Sequence, residues 1–239
     1  MLIDLHAHSS GISQCCRIPA GEVLKAAMEV GLDGIVLTNH YQKTYVTDGD
    51  AAGFARRYAQ EYYAAKKLGD EMGCRVFFGV EVTVSRQTNL HMLVYGVEPS
   101  FVERCPELYD LTPEELYVLV KENGGTLIQG HPFRNKATVQ DTRFLDGLEI
   151  NCHPLYGKSF AGELTEIAER TGLILTCGGD YHADTYRAHC GTDLPDTITD
   201  SVALGKWLRE TDEITLRIHE PDAETFRETT FTRTKGHRA

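Results

Sequence analysis

The chain has 239 residues, 25% of them charged and 41% hydrophobic, with a formal charge of −11. That length buries one substantial core, an α/β barrel routinely uses it as a single domain, and the balance of residues excludes wholesale disorder. The negative charge and scattered basic residues exclude a dedicated duplex nucleic-acid partner, and the longest apolar runs, such as 35–37 and 76–78, fall far short of the ~18 residues that span a bilayer.

Seven cysteines at irregular spacings, in a chain that starts without a basic or apolar leader, fit reduced thiols and an expected cytoplasmic location. The opening run Met1-Leu-Ile-Asp-Leu-His-Ala-His8 alternates as a strand, which places His6 and His8 on one face. A loop over 9–18 leads to Pro19, a helix carrying Val23, Leu24, Ala27 and Met28 at helical spacing, and a stop at Gly31. Residues 33–38 read as a buried parallel strand delivering His40, residues 51–72 as a helix stopped at Gly73, and residues 75–84 as a strand containing Glu81.

Residues 90–97 alternate as a further strand that carries His91, and Thr112-Pro-Glu-Glu115 is a capping-box pattern opening a helix that ends at Gly124-Gly125. Strand 126–130 delivers His131. Strand 145–151, helix 159–171 and strand 173–177 follow, the last leading to Asp180 and His182; a helix over 200–210 and a strand over 213–218 complete the pattern. Strands alternating with helices predict a parallel α/β sheet, and about seven such units predict a barrel over 1–219 with a polar, loosely held tail over 220–239. Metal ligands at the C-terminal ends of strands are where such folds place their sites.

His6, His8, His40, Glu81, His91, His131, Asp180 and His182 are too many for one tetrahedral ion. Imidazoles and carboxylates without a Cys-x-x-Cys pair favour Zn, Mn or Fe, and two or three divalent ions bridged by a carboxylate would support hydrolysis. Arg17 and Arg134 flank this set on loops, and a guanidinium is suited to forking onto phosphate oxygens. Two readings from other classes remain: hydrolysis of a C–N or carboxylic ester bond by the same bimetallic hydroxide, and a non-catalytic metal-binding accessory module.

The motifs Asp4-Leu-His-Ala-His8, Gly31-Leu-Asp-Gly-Ile-Val-Leu-Thr-Asn-His40, Gly79-Val-Glu81, His91, Gly130-His-Pro132 and Gly179-Asp-Tyr-His182 together resemble the PHP (polymerase and histidinol phosphatase) superfamily. The resemblance implies a distorted seven-stranded barrel and a phosphoesterase that hydrolyses a small phosphomonoester or nucleotide-derived phosphate with a metal-bridging hydroxide. It implies that His6, His8, Glu81 and Asp180 hold one metal, that Glu81 bridges to a second held by His91 and His131, and that His40 and His182 hold a third. Glu81, Asp180 and His182 are the expected catalytic residues.

The chain departs from the pattern in two places. Relatives often supply an imidazole or carboxylate from the loop after His8, which here reads Ser13-Gln-Cys-Cys16, and Cys15 is expected to be a bystander thiol. The family's usual aspartate before the second-strand histidine is Asn39. His153 and His189 are expected at the surface or behind ligands, His219 and His237 in solvent, and Asn151 as an orienting group for a ligand or loop.

Overall fold

The computed structural model describes residues 1–184, 189–220 and 223–234; His237 lies outside them. Leu2–Ala7 forms strand β1, and helix α1 (Ala20–Glu29) returns the chain to β2 (Gly34–Leu37), parallel to β1. The chain then breaks and resumes as the short β3 (His40–Tyr41). Helix α2 (Ala51–Met72) ends on Gly73 in the left-handed conformation, φ 76°, as its sequence predicts.

The strand predicted over 75–84 is also broken, into β4 (Arg75–Phe78) and β5 (Val80–Thr83). The break falls at Gly79, where a Cβ would lie 2.7 Å from Thr38 Cγ2 and Val36 Cγ1. Each pair of broken strands feeds two sheets. One has the order β4, β2, β1 and continues into β10 (Gly191–Asp193), β11 (Glu213–Ile218) and β12 (Arg227–Thr232); the other has the order β3, β5, β6 (His91–Tyr95), β7 (Thr126–Gln129), β8 (Gly147–Asn151), β9 (Ile174–Gly178).

In the second sheet β6 (His91–Tyr95) runs antiparallel to both neighbours, β5 and β7 (Thr126–Gln129), so the run of parallel units is interrupted there. The short 84–90 connection explains the β5–β6 pairing, since an antiparallel pair needs no crossover helix. A short α3 (Ser100–Arg104) and then α4 (Pro113–Glu122) precede β7, and α4 carries both bonds of the Thr112–Glu115 capping box. Parallel order resumes with β8 (Gly147–Asn151), α5 (Ala161–Thr171) and β9 (Ile174–Gly178).

The end of β9 returns to β1 through a parallel bridge between Ala7 and Tyr181, where the His8 amide donates to the Tyr181 carbonyl at 3.1 Å. The architecture is therefore a barrel-like α/β fold with mixed sheets. Beyond it, β10 (Gly191–Asp193), α6 (Ser201–Glu210), β11 (Glu213–Ile218) and β12 (Arg227–Thr232) extend the first sheet. The stretch expected as a loose tail thus contains a strand paired with the whole of β11; its Thr and Phe residues suit a sheet edge, and its polarity hid it. Among the described residues no helix is long and apolar enough to cross a membrane.

The two strand breaks are tied together by one side chain. Tyr58 of α2 is buried, and its hydroxyl lies 2.6 Å from the Asn39 carbonyl and 3.1 Å from the Gly79 carbonyl. These are the residues that precede His40 and Val80, so this hydroxyl sets how both strands resume. The Asn39 carbonyl also accepts from the Glu81 amide at 3.2 Å, so Tyr58→Phe should destabilise the protein by about 0.5–1.5 kcal/mol, the net worth of one lost hydrogen bond; urea unfolding would check it, and an unchanged midpoint would show that the breaks are held by other contacts.

Candidate metal centre

All eight ligand candidates come together. His6 and His8 sit at the end of β1, His40 opens β3, Glu81 lies in β5, His91 opens β6, His131 follows β7, and Asp180 and His182 follow β9. His131 and Asp180 have positive φ, 31° and 50°. Backbone strain of this kind, of order ~1–3 kcal/mol for a non-glycine residue, persists where surrounding structure enforces it and clusters at functional sites.

Glu81 is at the centre and wholly buried. Its Oε1 faces His91 Nδ1 at 2.7 Å, His131 Nε2 at 3.0 Å and His6 Nε2 at 3.4 Å. Its Oε2 faces His40 Nδ1 at 2.5 Å and His8 Nε2 at 3.5 Å. Asp180 Oδ1 lies 3.1 Å from His8 Nε2, 3.5 Å from His6 Nε2 and 3.2 Å from His182 Nδ1.

A chain of hydrogen bonds fixes the tautomer of His8. The Ser9 amide donates to Asn39 Oδ1 at 2.8 Å, which orients that amide, so the Ser13 hydroxyl must donate to the same oxygen, also at 2.8 Å. Ser13 Oγ is then left only to accept, from the His40 amide at 3.0 Å and from His8 Nδ1 at 3.1 Å. Asn39 thus orients these groups with a neutral amide where an aspartate was the family's expectation. His8 Nε2 is left as a bare lone pair facing the Asp180 carboxylate.

His6 is oriented in the same manner by Glu149, a buried residue that belongs to none of the motifs. Its Oε1 accepts from His6 Nδ1 at 2.7 Å, while Oε2 accepts from the His131 amide at 2.9 Å and from Asn151 Nδ2 at 3.1 Å. The signal was present in Gly147-Leu-Glu-Ile-Asn151, a charged residue in the middle of a buried strand. Asn151 touches both Glu149 and the following loop, where its Oδ1 accepts from the His153 amide at 3.0 Å. His153 is buried next to the cluster, its ring 6.1 Å from that of His182.

Lone pairs aimed at carboxylates are repulsive unless a cation lies between them. Among the described residues His6 Nε2, His40 Nδ1, Glu81 Oε2 and His131 Nδ1 are buried without a hydrogen-bond partner; His40 and Glu81 approach each other off hydrogen-bond geometry. Protons can fill the role: burial opposes charge on His6, but Glu149, Asp180 and Glu81 hold its pKa well above the ordinary range. Burial likewise pushes the Glu81 carboxyl up, and His40, His91 and His6 outweigh it and hold it well below. Divalent metals suit the same donors better, because one ion answers several lone pairs at once.

Among the described residues, four groups drawn from these eight candidates have donor atoms mutually within 4.8 Å and could each chelate such an ion: His6, His8 and Asp180; His6, Glu81 and His131; His40, Glu81 and His91; and His8, His40 and His182. Cys15 lies beside the last of these. Burial raises its thiol, but hydrogen bonds with His182 and His40 bring its pKa down to about 6.

Arg134 lies against the cluster: its guanidinium hydrogen-bonds Asp180 Oδ2 and stacks on the Tyr156 ring at 3.9 Å, and its Nε is buried without a partner. The side chain of Arg17 is exposed; its backbone amide donates to the His182 carbonyl at 3.0 Å.

No protein-family profile matches the chain, and no curated protein matches it. Solved structures do. A candidate metal-dependent phosphoesterase of Bifidobacterium adolescentis aligns with 88% of this chain and 96% of its own at 18% identity, TM-score 0.54. PsfC from Pseudomonas syringae aligns with 99% of this chain and 93% of its own at 19% identity, TM-score 0.62. An amidohydrolase of Chromobacterium violaceum with bound sulfate and no metal aligns with 94% of this chain and 99% of its own at 17% identity, TM-score 0.52. At these identities the likeness is one of fold, and on that fold this chain gathers residues able to chelate divalent metals.

Glu149 touches two candidate ligands without being one. Glu149→Gln should therefore weaken divalent-metal binding by ~10–100-fold, the usual effect of losing a partner behind a ligand, while circular dichroism stays unchanged. Competition with a chromophoric chelator measures it, and affinity equal to wild type would mean His6 keeps its tautomer without that carboxylate.

Proposed function

We propose that the protein is a PHP-type, metal-dependent phosphoesterase acting on a small phosphomonoester or nucleotide-derived phosphate. The observation that carries this reading is the division of imidazoles over the two oxygens of one buried carboxylate: His6, His91 and His131 on Glu81 Oε1, His8 and His40 on Oε2. That is the arrangement expected of a bridge between metals. The same reading takes the two sheets as parts of a distorted seven-stranded barrel, which the Ala7–Tyr181 bridge supports.

Two divalent ions, with a third at His40 and His182, would supply a hydroxide nucleophile and neutralise charge on the phosphoryl oxygens. Zn, Mn and Fe all suit these donors. The chain's own residues orient and complement that centre. Glu149 and Ser13 hold His6 and His8 with Nε2 inward, and Asp4, accepting from the amides of His6 at 2.9 Å and Gly179 at 2.8 Å, holds the ends of β1 and β9 together. Arg134, pre-positioned by Asp180 and Tyr156, offers a guanidinium fork for phosphate oxygens, and Arg17 offers a second from the solvent side. Asp180 and His182 complete the reacting centre beside Glu81.

The fold shared with an amidohydrolase supports a second reading, attack on a C–N or carboxylic ester bond, since the same nucleophile can attack a carbonyl. Assays with p-nitrophenyl phosphate, acyl esters and cyclic amides after reconstitution with each metal separate the two. The phosphoesterase reading expects turnover of the phosphate alone; turnover of a carbonyl substrate alone would replace it.

Two variants test the roles assigned to residues. Glu81→Gln should lose more than one equivalent of metal and lower activity by more than ~100-fold, beyond the range of an outer partner; loss of a single ion with the other fully retained would contradict the bridge. Arg134→Ala should lower kcat/KM for a phosphomonoester by ~10–100-fold, the value of a charge-assisted hydrogen bond, at unchanged metal content. A loss explained wholly by missing metal would make Arg134 a support for Asp180 instead.

A further inference from the structure

Away from the imidazole cluster the chain gathers a second set of soft donors. Cys152 follows β8, Cys177 lies in β9 and Cys190 precedes β10. All three are buried, and their sulfur atoms lie mutually within 4.8 Å. Cys152 Sγ and Cys177 Sγ are 3.6 Å apart, and Cys177 Sγ is 3.3 Å from the Arg217 carbonyl of β11.

This set is separate from the candidate metal centre. A Cβ on Gly178 would meet His6 Cβ at 2.5 Å and Glu149 Oε1 at 2.7 Å, so Gly178 faces that centre. Successive strand residues point to opposite faces, and Cys177 therefore faces away, toward the β10–β11 extension.

We propose that Cys152, Cys177 and Cys190 form a structural site for one thiophilic d10 cation, Cu(I) or Zn(II). Three thiolates bound to one ion at about 2.3 Å hold their sulfurs ~3.8–4.0 Å apart, close to the 3.6 Å between Cys152 and Cys177 and inside the 4.8 Å that bounds all three. Soft sulfur donors select such ions over the hard cations suited to carboxylates. Among the described residues no fourth His, Cys, Asp or Glu donor joins the group, which suits trigonal Cu(I) or a zinc ion completed by water. Each thiol that binds as thiolate releases its proton to solvent, so affinity rises with pH. The donors come from the end of β8, from β9 and from the start of β10, so the ion would fasten the β10–β12 extension to the second sheet.

The experiment uses the full-length Cys15→Ser protein, which removes the thiol beside the imidazoles, titrated anaerobically with buffered Cu(I) and separately with Zn(II). The proposal expects one equivalent of thiolate-to-copper absorption, lost in each of the further variants Cys152→Ser, Cys177→Ser and Cys190→Ser. In the zinc arm it expects the zinc bound by the Cys15→Ser protein to fall by one equivalent in each of the same three variants. X-ray absorption of Cys15→Ser protein carrying one Cu(I) needs no further variant and should show sulfur neighbours. Absence of the band in Cys15→Ser, its survival in all three further variants, or nitrogen and oxygen neighbours alone would overturn the proposal.

Discussion

The structure depends on a carboxylate that water cannot reach. Glu81 is fully buried, and an ionised carboxylate in such a place is tolerated only with compensating positive charge and donors around it. The chain supplies imidazoles from several strands, each directed at one of the two oxygens. With protons as the only cations the arrangement is over-supplied with lone pairs, which is the physical argument for metal ions.

Holding that carboxylate and those imidazoles in register requires irregular backbone. Unbroken strands would carry β2 and β4 straight past the centre; breaks at Asn39 and Gly79 let β3 and β5 resume in the second sheet, with His40 paired to Glu81. Tyr58 ties the two breaks to α2, and positive φ at His131 and Asp180 turns those side chains at the strand ends. The surrounding sheets and helices over-determine these local conformations, which would not persist in an isolated segment.

Much of this was legible in the sequence because it follows short-range rules. The alternation of β1 puts His6 and His8 together, the capping box opens α4, Gly73 and Gly172 stop α2 and α5, and apolar strands ending in His or Asp mark the edge where ligands collect. What was not legible depends on long-range partners. Nothing local shows that Glu149 reaches His6, 143 residues away, or that a Ser9–Asn39–Ser13 relay sets a tautomer. The antiparallel course of β6 and the pairing of β12 with β11 are choices of neighbour, which periodicity does not encode. The division of the histidines is also subtler than the motif order implies: His131 groups with His6 and Glu81, and His91 with His40 and Glu81.

The central claim is that Glu81 joins two metal ions through its separate oxygens. Anomalous diffraction from crystals of the zinc- or manganese-loaded protein, collected on both sides of the metal's absorption edge, locates those ions directly. The account predicts two strong peaks flanking the Glu81 carboxylate, ~3.5–4 Å apart as in bimetallic hydrolytic sites. A single peak, or ions bound without contact to Glu81, would contradict it.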